Sequence, residues 1–187
     1  ISEDDTAVMP NATYTSSGIF IQDDVSLFKR ASLIFGLRYQ SNITESKATP
    51  TLDDMVLSKY TNQTIVGAAN LVIGITDELK FILSTGKGFR APNLVDRYYA
   101  GFAFGSIFVP NPELEAETSF NVDVGLKFRN RNFYFEGTYF NNTIKDGIGM
   151  VSIGDNELGQ DQVQTVNISK MRKQGVELVG KVYFDFG

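Results

Sequence analysis

A chain of 187 residues with 42% hydrophobic residues is long enough for one domain, and its net charge of −5 argues against nucleic acid, whose phosphates need a basic footprint. Cysteine and histidine are both absent, which removes disulfides, thiolate metal sites, the imidazole general base and the Ser-His-Asp triad. No run of roughly 18 uninterrupted apolar residues occurs, so no transmembrane helix is expected, whereas a β-barrel crosses with alternate apolar positions and stays open.

The periodicity is 2 throughout, not 3.6. It predicts seven strands in chain order: Thr13–Leu27, Ala31–Ser41, Thr64–Thr76, Leu79–Gly88, Ser119–Phe128, Phe133–Asn142 and Val166–Phe184. In the second strand Leu33, Phe35, Leu37 and Tyr39 alternate with Ser32, Gly36, Arg38 and Gln40. In the fifth, Phe120, Val122, Val124, Leu126 and Phe128 alternate with Asn121, Asp123, Gly125 and Lys127. In the last, Val176, Leu178, Val182, Phe184 and Phe186 oppose Glu177, Lys181 and Asp185. The paired carboxylates Asp23 and Asp24 fall on opposite faces of their strand and cannot act together as acid and base.

The connections alternate short and long. Residues 28–30, 77–78 and 129–132 are tight polar turns; residues 42–62, 89–117 and 143–165 are expected to be long loops. That order, with strands longer than the usual five or six residues of soluble sheets, predicts an all-β fold: an antiparallel up-and-down transmembrane β-barrel. At about 27 residues per strand a barrel of roughly 22 strands needs roughly 600 residues, so residues 1–187 are expected to be a partial barrel. The chain starts at Ile1 without a signal region and stops mid-pattern, and both ends are expected to be cut. Seven strands leave two open edges, so an open sheet or part of a larger barrel is expected.

Two motifs flank the central long loop. Phe89-Arg90-Ala91-Pro92 ends a strand, because proline fixes its own φ and extends the residue before it. Gly86 and Gly88 permit close approach just ahead of it. The second motif, Asn111-Pro112-Glu113-Leu114 running on to Glu117, opens with a turn initiator and leads into the next strand. Its Glu113, Glu115 and Glu117 read as solvated loop charges. Between the motifs, Tyr98, Tyr99, Phe102, Phe104 and Phe108 read as an aromatic loop core or an interface belt. Arg97 reads as a partner for an anionic ligand or as a solvated charge.

Gly88-Phe89-Arg90-Ala91-Pro92, then Asn111-Pro112-Glu113-Leu114 with Glu117-Thr118-Ser119, then Asn121 to Lys127, resemble in order the distal barrel of TonB-dependent outer-membrane receptors. Tyr14–Asp24, Tyr134–Gly147 and Lys173–Leu178 resemble further strands of that family. The resemblance implies a receptor in the bacterial outer membrane, surrounded by its lipid. Such a receptor captures an iron chelate or haem and imports it with energy from the TonB complex, which it contacts through a plug region absent here. It implies no catalysis, no resident cofactor and no metal site. It also implies ligand contacts at Arg97, Tyr98, Tyr99, Phe102 and Phe104. In the haem receptors a histidine between the two motifs is a ligand; this loop has none, and Tyr98 or Tyr99 as phenolate is the substitute. Two rivals remain at this point. A small complete outer-membrane barrel with a structural or adhesive role needs an even, closed strand count. A soluble β-sandwich needs a dry core between two sheets.

Overall fold

The structure is a computed structural model that describes residues 7–50 and 57–184. Its strands are β1 (Ala12–Phe28), β2 (Ala31–Ser46), β3 (Lys59–Gly74), β4 (Leu79–Arg90), β5 (Gly101–Ala103), β6 (Ser106–Val109), β7 (Glu117–Arg129), β8 (Phe133–Asp155) and β9 (Asp161–Val182), with one short helix, α1 (Leu94–Tyr98). They form one nine-stranded sheet in the order β1-β2-β3-β4-β7-β8-β9-β6-β5. The seven long strands are antiparallel neighbours, as the alternation predicts. Among the described residues β1 carries no second partner strand, so the sheet is open. Among the described residues no second sheet packs on it, which disfavours the β-sandwich, and the strands do not close into a small barrel.

The register shows why these residues make this wall. One hydrogen-bonded row runs Val25, Leu33, Leu71, Leu83, Val124, Tyr139 and Val176 across all seven long strands. A row on the opposite face runs Gln22, Gly36, Ala68, Gly86, Asn121, Asn142 and Lys173. One face is apolar and the other polar or small. The apolar face is not covered by protein: Ile19, Leu37, Phe120, Leu126 and Leu178 are exposed, and the buried hydrophobic residues among those described are Tyr98 and Leu114. An apolar surface of this extent is stable only against lipid or another apolar partner. Exposed Tyr39 and Phe120 stand towards one end of that face, and Phe133 and Phe135 towards the other, as the aromatic girdles of a membrane-spanning wall would. Asp23 is a departure on this face, paired with Phe35.

Two expectations change. The seven strands become nine, because the central loop folds a β5–β6 hairpin of its own. Residues 143–165 are not a loop: β8 and β9 run on as a paired ribbon to Asp155 and from Asp161. A ribbon beyond the membrane has no lipid-facing side, so no apolar alternation marks it, and its ladder bonds hold it together. The Asn156 carboxamide oxygen closes its turn, accepting from the amides of Leu158 at 3.0 Å and Gln160 at 2.9 Å. β2 extends to Ser46 and β3 begins at Lys59, so the expected loop at 42–62 shortens; residues 51–56 lie outside the described part, as do Asp185 and Phe186.

Candidate functional site

At the end of the wall opposite the tight turns, the connections gather into a cap. Its foundation is the exit from β4. Pro92 is fully buried and the strand stops at Arg90. Asn93 then starts α1 with a capping box: its side chain accepts from Asp96 N at 2.8 Å, and the Asp96 carboxylate accepts from Asn93 N at 2.9 Å. Arg90 ties this helix start to β7, at 2.9 Å from Asp96 and 3.8 Å from Glu117. Glu117 also accepts from Ile148 N at 3.0 Å, so it is a structural link between β7 and the β8–β9 ribbon rather than a solvated charge. Gly88 serves close approach as expected: a Cβ there would run into Ser119 Oγ.

α1 turns Arg97 and Tyr98 inward. Arg97 is 1% exposed. It donates to the Pro112 carbonyl and lies over the Tyr60 ring at 4.3 Å, and its own carbonyl accepts from Asn111 N at 3.0 Å. Burial lowers its pKa, with Tyr98, Tyr60 and Asp96 opposing that shift. The solvated-charge reading of Arg97 therefore gives way to a buried clamp between α1, β3 and the second motif. The Tyr98 and Ser58 hydroxyls share a hydrogen bond of 2.8 Å, and Ser58 N donates to Ser46 Oγ, which fastens α1 to the β2–β3 connection. Tyr99 stacks edge-on against Phe108 at 5.3 Å.

The β5–β6 hairpin points the other way. Phe102 is exposed and Phe104 is 100% exposed, at φ 51°, a left-handed conformation that bulky residues rarely adopt. Gly105 follows at φ 87° and completes the turn. β6 then pairs parallel with the outer part of β9, Phe108 opposite Val163. Asp161 fixes that junction, accepting from Ser106 Oγ at 2.8 Å and Ser152 Oγ at 2.5 Å. These two bonds, Ser152 first, hold its carboxyl below the usual Asp range.

The second motif is a bracket. Asn111 Nδ2 donates to the Thr165 carbonyl at 2.9 Å, and Leu114 is 3% exposed. Asn167 accepts from Glu115 N at 2.9 Å and donates to the Glu115 and Asp146 carbonyls. The five ligand residues expected from the sequence thus separate: Arg97 and Tyr98 inside the cap, Tyr99 half-buried, Phe102 and Phe104 outside it. Sequence reading missed Ser58, Tyr60, Asp161 and Asn167, which are isolated polar or aromatic residues distant in sequence from the motifs they hold. The capping box of Asn93 and Asp96 was the one local signal available for α1.

The family described as "TonB dependent receptor-like, beta-barrel" matches residues 2–187. The chain belongs to that family. It is therefore part of an outer-membrane β-barrel of the Gram-negative type, as the open two-faced wall requires. Heme/hemopexin utilization protein C of Haemophilus influenzae (strain 86-028NP) is 29% identical over 189 residues, covering 90% of this chain and 25% of the relative. The ferrienterobactin receptor of Escherichia coli (strain K12) is 27% identical over 172 residues, covering 82% of this chain and 22% of the relative. The chain spans about a quarter of the length of these relatives. In the solved complex of the Serratia marcescens hemophore receptor HasR with HasA and heme, the receptor shares the fold at a TM-score of 0.80 and 17% identity, over 91% of this chain and 32% of that one.

Proposed function

We propose that this TonB-dependent receptor wall belongs to a transporter, of roughly 22 strands with a separate plug, that captures an iron-bearing ligand, a ferric chelate or haem, and passes it inward on energy from the TonB complex. The relatives named for heme/hemopexin utilization and for ferrienterobactin support an iron-bearing ligand and leave the two classes side by side. The observation that carries the reading is the outward display of Phe102 and Phe104 on a hairpin braced by β9 and by Tyr99, which follows α1 and packs on Phe108. Full exposure of a phenylalanine in a strained turn is a cost with no return inside this chain, which motivates a contact with something outside it. In this proposal Phe102, Phe104 and the edge of Tyr99 touch the ligand, while Arg97 and Tyr98 hold the loop that presents them. Receptors of this kind bind and pass ligand without chemistry, so no catalytic group is assigned.

The test uses the full-length receptor in a strain lacking its own iron uptake. Growth on haem or on a ferric siderophore as sole iron source, lost on Phe102→Ala/Phe104→Ala, is the expected result; growth on neither source with the wild-type receptor contradicts the proposal. For haem, an absorption titration separates the tyrosines. A Soret shift altered by Tyr99→Phe supports phenolate ligation, and a shift unchanged by both Tyr98→Phe and Tyr99→Phe removes it.

A further inference from the structure

On the polar face of the wall, bordered by the exit of β4, lies a cleft of about 380 Å³ lined by Tyr14, Ser16, Arg38, Gln40, Asn42 and Arg90 among others. The register sets the first five on one face, from Arg38 at the middle of β2 to the outer ends of β1 and β2, with Ser16 opposite Asn42. None of the lining residues is acidic. Arg90 is balanced by Asp96 and Glu117. Arg38 is not: no carboxylate among the described residues pairs with it.

Its side chain is nevertheless held in place. Arg38 Nε donates to Gln40 Oε1 at 2.7 Å, and Gln40 Nε2 donates to Ser16 Oγ at 2.7 Å and to Asn42 Oδ1 at 3.1 Å. Both ends of the Gln40 amide are thereby used, which fixes its orientation and that of the guanidinium. Gly18 leaves the space: a Cβ there would lie 2.9 Å from Arg38 Nη2. The result is a pre-set guanidinium on a hydroxyl- and amide-lined wall, carrying the cleft's one uncompensated charge in a chain of net charge −5. A planar fork held this way suits a carboxylate or a similar flat oxyanion, bound in two parallel bonds.

We propose that this cleft is an anion subsite, which takes the carboxylate or equivalent oxyanion of the transported ligand after it leaves the outer cap. The inference rests on the transporter reading, and it names the charge class of the ligand: a haem propionate or an acidic ferric chelate, not a bare metal cation.

The experiment titrates purified full-length receptor by calorimetry with citrate alone, ferric citrate, haemin and haemin dimethyl ester. Arg38→Gln should weaken the first three by about tenfold or more and leave the ester unchanged. Arg38→Lys should recover part of the loss, since it restores the charge without the fork. Arg30→Gln, the same charge change at the tight-turn end, should alter nothing. Equal affinities for Arg38→Gln and wild type overturn the subsite, as does an equal loss for haemin and its ester, or a wild type that binds none of the anionic probes. A lowered thermal midpoint in Arg38→Gln with affinity intact also overturns it, because the arginine then pairs with another part of the receptor. Iron-dependent growth reads the transporter proposal separately: growth kept with citrate binding unaffected by Arg38→Gln sinks the subsite alone, and absent growth on every iron source sinks the transporter reading.

Discussion

Between the tight turns and the level of Tyr39 and Phe120, apolar side chains face outward and stay exposed, while the strands are held by their ladders. Beyond that level the burial inverts: Thr44, Ser46, Arg97 and Thr165 are buried, and the contacts that close the cap are hydrogen bonds between loops far apart in sequence. The wall draws its stability from lipid against its outer face and from hydrogen bonds that have no water to compete with. The cap stands in water and depends on particular polar partners, each individually worth little and together specifying one arrangement. The same chain therefore meets two solvents, and substitutions should act by opposite rules in its two parts.

Two effects of comparable size come first, one in the wall and one in the cap. Val124→Arg, in the middle of the apolar row, should destabilise the barrel in lipid by about 2–4 kcal/mol, whereas Asp123→Arg on the other face should not; unfolding by denaturant in phospholipid vesicles reads both. Leu114→Ala should cost about 2–5 kcal/mol, felt in the cap alone. Hydrogen exchange should quicken at residues 91–116 and remain slow in β7 below them. If exchange rises equally through the wall, the two parts are not separate. Asn93→Ala should cost about 1 kcal/mol by removing the capping box, with Asn93→Asp retaining most of it, seen as faster exchange at the α1 amides.

A smaller effect has the opposite sign. Phe104→Gly relieves the left-handed strain and should steady the hairpin by up to about 1 kcal/mol, while weakening ligand capture. A thermal scan and a binding titration on one sample would show the trade, and improved binding would remove Phe104 from the contact surface. The least effect is a pH dependence confined to the cap. The Asp161 carboxyl is held below its ordinary range in the folded protein, so its contribution is present above that range and is lost as pH falls through the depressed value. Acidification below the ordinary Asp range should loosen the β6–β9 junction, and Asp161→Asn should flatten that response.

How much of this was legible in the sequence follows the same division. In the wall each side chain answers to lipid or to the polar side, so alternation alone placed Leu33, Val124 and Leu178 on one face and Arg38 and Asn121 on the other. The outer ribbon of β8 and β9 was hidden, since without lipid on one face nothing imposes an apolar period on Lys145 to Ser152. Pro92 correctly ended its strand through local backbone geometry. Arg97 could not be placed locally, because its burial depends on Pro112 and Tyr60, which reach it through the fold. Glu117 looked like one of three equivalent charges until the ribbon brought Ile148 N to it.

The central claim, a wall with lipid on one face and water on the other, is tested most directly at adjacent residues. This chain has no native cysteine, so Asp123→Cys and Val124→Cys can each carry a fluorophore in the full-length receptor in vesicles, provided the remainder is cysteine-free. Quenching by brominated lipid at position 124 and by aqueous iodide at position 123 is predicted. The same quencher reaching both positions equally would contradict the account.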